Sequence, residues 1–403
     1  MRLGNLLTPK NDKPARVKVC HITTVHWPWD TRIFFRECLC LEQAGYDVHL
    51  ITCHDHDEDS HGIQIHALPF PPNPWLRMLF WPFLALRKAM RIKANIYHLH
   101  DPELVFLAAA LRFTTDAKVI FDAHEDIPAQ ILTKPWIPRP LRWIMANIIR
   151  LIYSFALLGT PVIESDMIKG QFRQPKQSIR NFPLLEPGEL TPRTREDFTA
   201  PFAMVYVGNV SDIRGVWTML ALADGLMKRG IDFVLRIIGP VVPESLLARL
   251  QKFLETTNLS DRVYFLGRLP FPKAMQWVKR STIGLSLLKP VANHRYALPT
   301  KLLEYMAYGL PVIATDMPCT REYITYCDAG ILVNPDTPQD LLEQAVQLLS
   351  DPDRMLQFSR HGQARVCEEL NWKNESRYLL RFYRRILYTD VSPDPCWYHC
   401  RRH

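Results

Sequence analysis

One segment concentrates residue types that can hold an anion and a pair of hydroxyls: Pro299-Thr-Lys301-Leu-Leu-Glu304-Tyr-Met-Ala-Tyr-Gly309-Leu-Pro311-Val-Ile-Ala-Thr315-Asp316. Thr300 is placed to cap a helix that starts near Lys301, Pro299 fits the entry to that helix, and Gly309 ends it. The free N–H groups of such a first turn, with Lys301 beside them, make an anion site. Glu304 lies about one turn in, where a carboxylate can accept two hydrogen bonds from vicinal hydroxyls such as those of a ribose. The same spacing also fits a plain amphipathic helix with a surface glutamate. Elsewhere, His124 is followed by Glu125 and Asp126 after a run of strand-forming residues. A histidine with two carboxyl neighbours at a strand end is a poor core residue, although a hydrogen-bonded structural role stays open. Asp101 and Glu103 follow another such run; they can bind hydroxyls or cap the next helix.

Other clusters carry less. Asp55-His-Asp57-Glu-Asp59 suggests a carboxylate metal site, but a run of like charge in a loop is explained by solvation. Of nine cysteines, none has C-x-x-C spacing, and most lie in apolar segments, as reduced buried thiols of a cytosolic protein do. Cys396, His399, Cys400 and His403 sit in a short tail after a Pro-rich stretch, and no functional metal site is assigned there.

The elements that must position these residues follow from periodicity. Strands are expected at 17–23, 47–52, 62–66, 96–100 and 118–122, with a helix over Ile33–Ala44 stopped by Gly45. The alternation restarts at Ala203–Gly208 and continues through helices such as Val216–Met227 and Glu244–Thr256 and strands such as Asp232–Gly239 and Val312–Thr315. Such β-α-β alternation predicts parallel sheets covered on both faces. The expected fold class is α/β: two Rossmann-like doubly wound lobes facing across a cleft. Residues 1–185 make the first lobe, 186–199 a Pro-rich hinge, 200–370 the second lobe, 371–388 a closing helix and 389–403 a loose tail. Ligands of such sheets bind at the carboxyl ends of the strands, so the cleft is the expected site. With 403 residues, 47% hydrophobic and 22% charged, the chain is neither disordered nor fibrous. Its net charge of +8 suits anionic ligands, and no compact basic run points to nucleic acid.

The Pro299–Asp316 segment resembles the C-terminal signature of glycosyltransferase family 4, a group of retaining enzymes with two Rossmann-like lobes in the arrangement called GT-B. Gly208-Asn-Val-Ser-Asp-Ile-Arg214-Gly215 is similar to the turn whose two basic residues face the donor diphosphate in that family. Asn209 replaces the first basic residue and Arg214 the second. Tyr97-His98-Leu-His100-Asp101-Pro102-Glu103-Leu104 and Val119-Ile-Phe-Asp122-Ala-His124-Glu125-Asp126 resemble segments of a subgroup that builds bacterial surface polysaccharides. Asp30-Thr-Arg32 fits that subgroup too, with Arg32 expected at a phosphate or acceptor, or else Asp30 as a helix cap beside a solvated Arg32. The resemblance implies His124 near the transferred sugar and Glu304 on the ribose, both counted as catalytic. It implies Gly208, Arg214, Thr300, Lys301 and Glu304 at the donor, and Arg32, Asp101 and Glu103 toward the acceptor. Tyr296 stands where the family has the first glutamate of a pair.

The implied activity is transfer of a sugar from a UDP- or GDP-sugar to a lipid-linked glycan acceptor, for which an undecaprenyl carrier is the candidate. No cofactor and no metal are expected, because basic residues and helix N-termini stabilise the leaving diphosphate. The alternatives are a non-catalytic sugar-nucleotide-binding scaffold and a nucleotide-sugar 2-epimerase. No secretory signal or spanning segment is read, which predicts a cytoplasmic protein. No Asp or Glu occurs over residues 61–100 or 127–163, where arginines and lysines interleave with Trp75, Phe80, Trp81, Phe83, Trp136 and Trp143. That pattern suits a peripheral position at the anionic inner face of the plasma membrane, or ordinary core aromatics with snorkelling cations.

Overall fold

The computed structural model describes residues 16–123, 127–133, 137–164, 176–185, 190–295 and 298–388. The expectations for His124, Glu125, Asp126, Tyr296, Trp136, residues 186–189 of the hinge and the 389–403 tail lie outside the described residues.

The first lobe is an eight-stranded sheet among the described residues: β1 (Lys18–Ile22), β2 (Asp47–Cys53), β3 (Glu58–Ser60), β4 (Ile63–Leu68), β5 (Ile96–Leu99), β6 (Lys118–Ala123), β7 (Val162–Glu164) and β8 (Lys176–Ser178), in the order β3-β4-β2-β1-β5-β6-β7-β8. The second is six-stranded: β9 (Phe202–Val207), β10 (Phe233–Ile238), β11 (Val263–Gly267), β12 (Ile283–Ser286), β13 (Val312–Thr315) and β14 (Gly330–Val333), in the order β11-β10-β9-β12-β13-β14. Pairing is parallel except at the β3–β4 edge. Parallel strands are covered on both faces and so read as continuous apolar runs; β12 and β13 are buried at every position.

Three local features differ from expectation. The Ile33–Ala44 helix opens as a π-helical turn, Ile33–Cys38, before the α-helix Leu39–Gln43. Asp30 causes it: its Oδ1 accepts Arg32 N–H (2.8 Å) and Ile33 N–H (2.9 Å), and its carbonyl accepts from both Phe34 and Phe35. The widened turn aims Arg32, Arg36 and Glu37 into the protein, all buried. The Asp55–Asp59 loop contributes to edge strand β3, and Asp57 pairs with Lys88 (3.1 Å). The acid-free region contains the helix Pro74–Ile92, which no periodicity argument anticipated; Asn73 caps it, accepting Leu76 N–H at 2.9 Å.

The last helix, Trp372–Tyr388, follows the second lobe but packs on the first. Trp372, Leu379, Phe382, Tyr383 and Ile386 share a core with Val19, Ile33, Phe34 and Ile96. Trp372 N–H donates to Pro183 O (2.9 Å), and Glu375 accepts Arg180 N–H (2.8 Å).

Candidate functional site

Three glycines shape the second-lobe half of the site. β9 ends at Gly208 (φ +134°), whose carbonyl lies 2.0 Å from where a side chain on Gly239 would start. Gly215 (φ +80°) approaches Leu287 O so closely that a Cβ would lie at 1.7 Å. Only glycine accepts both the angle and the contact. Between these points a short 3₁₀ turn, Asp212–Arg214, presents Arg214, half-buried.

Facing this loop is the helix Thr300–Ala307. Thr300 is its first residue and not its cap, a correction to the expected start: Pro299, extended at ψ 106°, takes the cap position and makes no side-chain cap bond. Lys301 is 9% exposed. Its Nζ lies 3.9 Å above the Tyr206 ring, and a Cβ on Gly208 would come within 2.8 Å of it. Burial, then repulsion from Arg214, bring the lysine down to about 7, with Glu304 opposing. Neither Lys301 nor Arg214 has an ion-pair partner within 4.0 Å among the described residues. Burial pushes Glu304 up; Arg36 and then Lys301 pull it back. His294, buried nearby, donates from Nδ1 to Lys289 O at 3.0 Å and is lowered by burial first and by Arg214 and Lys301 as well. Asn209, at the position of the missing basic residue, is exposed, and its carbonyl accepts the Tyr206 hydroxyl (2.8 Å).

Arg36 belongs to the first lobe and is the charge that acts most strongly on Glu304. Its Nη1 donates to Asn181 Oδ1 (2.8 Å) and Thr31 O (3.2 Å). Two further contacts join the lobes: Arg180 Nη1 donates to Tyr323 Oη (2.9 Å), and the helix Ile127–Thr133, directly after residues 124–126, packs against Ala292–Arg295.

The first-lobe residues expected at an acceptor are engaged inside the lobe. Arg32 is 4% exposed and clamps Asp122 with Nε (3.1 Å) and Nη2 (3.0 and 3.1 Å), while Nη1 donates to Ile179 O (3.1 Å). The Arg32 guanidinium is thus committed to Asp122 at the end of β6, in place of its expected contact with phosphate or acceptor. Asp101 is buried and accepts from Thr23 Oγ1 (2.9 Å), Thr24 N–H and Val25 N–H (3.2 Å), holding the loop after β1. Glu103 accepts from Arg77 Nε (2.8 Å) and Thr24 Oγ1 (2.9 Å). Both still border a cavity of about 260 Å³ at the carboxyl ends of β1, β5 and β6, shared with His26, His100 and Tyr153. His26 Nδ1 lies 3.3 Å from Asp30 Oδ2 and its Nε2 3.6 Å from Asp101 Oδ1. Burial opposes a charge there, but the Asp30 hydrogen bond and the charges of Asp101, Asp30 and Asp122 outweigh it and hold His26 above its usual value. His26, Arg36 and His294 were not singled out from sequence. The one available signal was the His26/Asp30 spacing.

A family model described as glycosyl transferases group 1 matches residues 201–351, and one described as glycosyltransferase family 4 matches residues 31–159. The chain is 27% identical over 187 residues to the D-inositol 3-phosphate glycosyltransferase of Corynebacterium urealyticum, a match covering 45% of this chain and 42% of that protein. The chain thus spans about half the length of the curated relatives it matches. Sucrose-phosphate synthase from Thermosynechococcus elongatus shares the fold with a TM-score of 0.72 at 17% identity, over 92% of this chain and 99% of that one. Anabaena HepE in complex with UDP and glucose does so with a TM-score of 0.67 at 12% identity, over 92% and 100%. The fold is GT-B.

Proposed function

Because this chain belongs to glycosyltransferase family 4, we propose that it is a retaining hexosyltransferase that takes its sugar from a UDP- or GDP-sugar and needs no metal for the transfer. The observation that carries this reading is the Lys301–Arg214 pair: two cations set beside the Gly208 loop, one of them buried, with no carboxylate partner within ion-pairing distance among the described residues. A diphosphate supplies the anion they lack, and its developing charge in the transition state is where fixed cations act most strongly. The complex of HepE with UDP and glucose, a protein of the same fold, supports a nucleotide sugar. Glu304, one turn further along the helix, receives the ribose hydroxyls. His124, by family resemblance, contacts the transferred sugar. Arg36 links donor binding to lobe closure, since its charge acts on Glu304 from the opposite lobe. The acceptor enters at the 260 Å³ cavity beside His26.

A lipid-linked glycan acceptor in polysaccharide biosynthesis fits the first lobe's outer surface. Pro74–Ile92, Val105–Thr114 and Arg139–Ala156 lie side by side and expose Trp75, Phe83, Phe113, Trp143 and Phe155, each more than half accessible. Arg87, Arg91, Arg139 and Arg150 are exposed on the same helices. Trp81 is the exception, turned inward with Nε1 on Pro69 O (2.7 Å). Among the described residues no helix is long and apolar enough to cross a membrane; the pattern is that of a surface lying on an anionic bilayer.

Calorimetry with UDP, GDP, ADP and dTDP on the wild type and Glu304→Ala tests the donor site. One diphosphate is expected to bind selectively and roughly ten- to a hundredfold more weakly to the variant, the range for hydrogen bonds to a charged group. Binding by none of them overturns the reading. Binding without turnover on any lipid-linked acceptor favours a scaffold, and release of free sugar with altered C2 configuration favours an epimerase. Sedimentation with anionic liposomes at low salt tests the surface, and failure to bind would sink it.

A further inference from the structure

We propose that His21, His98, His100 and Glu37 form a structural binding site for a first-row divalent metal ion, buried in the first lobe and separate from the donor pocket. His21 and His98 are register partners on adjacent strands β1 and β5, His100 lies just past the end of β5, and Glu37 comes from the π-helical turn above them. All four are 0–2% exposed. The four offer one ligand atom each within 4.8 Å of one another. The second observation is Glu37 itself. Its Oε1 faces Arg32 Nε at 3.1 Å, while Oε2 stands 3.9 Å from His21 Nδ1, 3.8 Å from His98 Nδ1 and 4.0 Å from His100 Nε2. These imidazole separations are too long for hydrogen bonds, so Oε1 is paired with Arg32 while Oε2 stands among three imidazoles without bonding to any of them. One oxygen nearly equidistant from three imidazole nitrogens is the arrangement of ligands around a common centre. Ligands bound at ~2.0–2.2 Å to a tetrahedral ion stand roughly 3.3–3.5 Å apart, so Glu37 needs to close by about half an ångström.

His21 Nδ1 and His100 Nε2, 2.9 Å apart, share a hydrogen. An ion replaces that proton, and the pair opens by a few tenths of an ångström. The Tyr383 hydroxyl, 2.7 Å from His98 Nδ1 and 3.5 Å from His21 Nε2, brings an oxygen from the last helix to the edge of the cluster. Imidazole with one carboxylate suits zinc and its first-row neighbours. Arg32, already clamped on Asp122, leaves the Glu37 charge incompletely balanced inside the lobe. A divalent cation balances it; the competing occupant is a proton shared between Glu37 and Asp122.

The test uses the full chain with Cys396→Ser and Cys400→Ser, which removes the tail thiols, and His56→Ala, which breaks the exposed His54–His56–Glu58 cluster. After dialysis against buffered zinc, elemental analysis is expected to find about one zinc per chain. Stripping it with a chelator is expected to lower Tm by several degrees, and His100→Gln to weaken retention roughly ten- to a hundredfold, the range seen for perturbed metal sites. Cobalt in place of zinc is expected to give the visible absorption of a four-coordinate site. No retained zinc with an unmoved Tm overturns the proposal and assigns the charge balance to the shared proton. Equal retention by His100→Gln overturns it by placing the ion elsewhere. If His100→Gln fails to fold, the zinc content and chelator response of the parent protein decide. UDP calorimetry on the loaded and stripped protein separates this result from the donor-site reading, which predicts binding in both.

Discussion

The two lobes handle charge in opposite ways. In the first, cations and carboxylates answer each other inside the protein: Arg32 clamps Asp122, Arg77 holds Glu103, and Asp101 collects the loop after β1. In the second, Lys301 and Arg214 repel each other beside a glycine loop, and Glu304 is held above its usual value by burial. A complete buried pair adds little net stability, but removing one of its members leaves an uncompensated charge and costs heavily. Unsatisfied cations destabilise the empty protein and are relieved by a ligand of opposite charge. Stability should therefore depend on the first lobe's charges and donor affinity on the second's.

Asp122→Asn puts the largest strain on that contrast. Losing one member of a buried pair typically costs about 3–5 kcal/mol. Urea unfolding should show a loss of that order, while the folded fraction binds UDP as before; a loss of UDP affinity at unchanged stability would reverse the assignment of roles. Lys301→Met should do the opposite. Calorimetry should find diphosphate binding weaker by about 1.5–3 kcal/mol, the worth of a charge-assisted hydrogen bond, and the empty protein should melt no lower than wild type. A lower Tm would mean that the contact of Lys301 with the Tyr206 ring outweighs its repulsion from Arg214. Gly208→Ala comes next. The added methyl meets Lys301 Nζ, the end of a flexible chain, at a φ of +134° that suits glycine. Nucleotide affinity should fall by about 1–2 kcal/mol, the cost of a strained residue, with first-lobe properties unchanged.

The smallest effect is in protons. Folded Lys301 titrates at about 7, and an unfolded lysine near ~10.4. Unfolding therefore takes up a proton between those values, and this residue's contribution to stability rises with pH across that window. A bound diphosphate restores the lysine's charge. Calorimetry at pH 8 in buffers of different ionisation enthalpy should show uptake approaching one proton per UDP, absent in Lys301→Met.

The second lobe was the more legible from sequence, for a physical reason. Lys301 and Glu304 sit three apart on one helix, and Gly208 and Arg214 in one turn, so local spacing places them together. Arg36 reaches the site only through the meeting of two lobes, and no local period records that. Arg32 was placed at a phosphate or acceptor by its resemblance to a family segment, whereas its partner Asp122 lies ninety residues on, beyond the reach of any local spacing. The helix Pro74–Ile92 escaped because Pro82 interrupts it and much of its apolar surface faces outward, which blurs the usual stripe.

The return of Trp372–Tyr388 to the first lobe sets the order in which the molecule can be finished. The last strand of the first sheet ends at Ser178, yet the helix that covers one face of it comes roughly two hundred residues later; at about 5–20 residues per second that is a delay on the order of ten seconds or more. Throughout it Val19, Ile33 and Ile96 lack their cover, while the second lobe, whose cores run to Phe358 and Leu370, is still being made. The two lobes are thus completed almost together, and a stop just before Trp372 would leave a finished second lobe tethered to an unfinished sheet that chaperones and proteases can recognise.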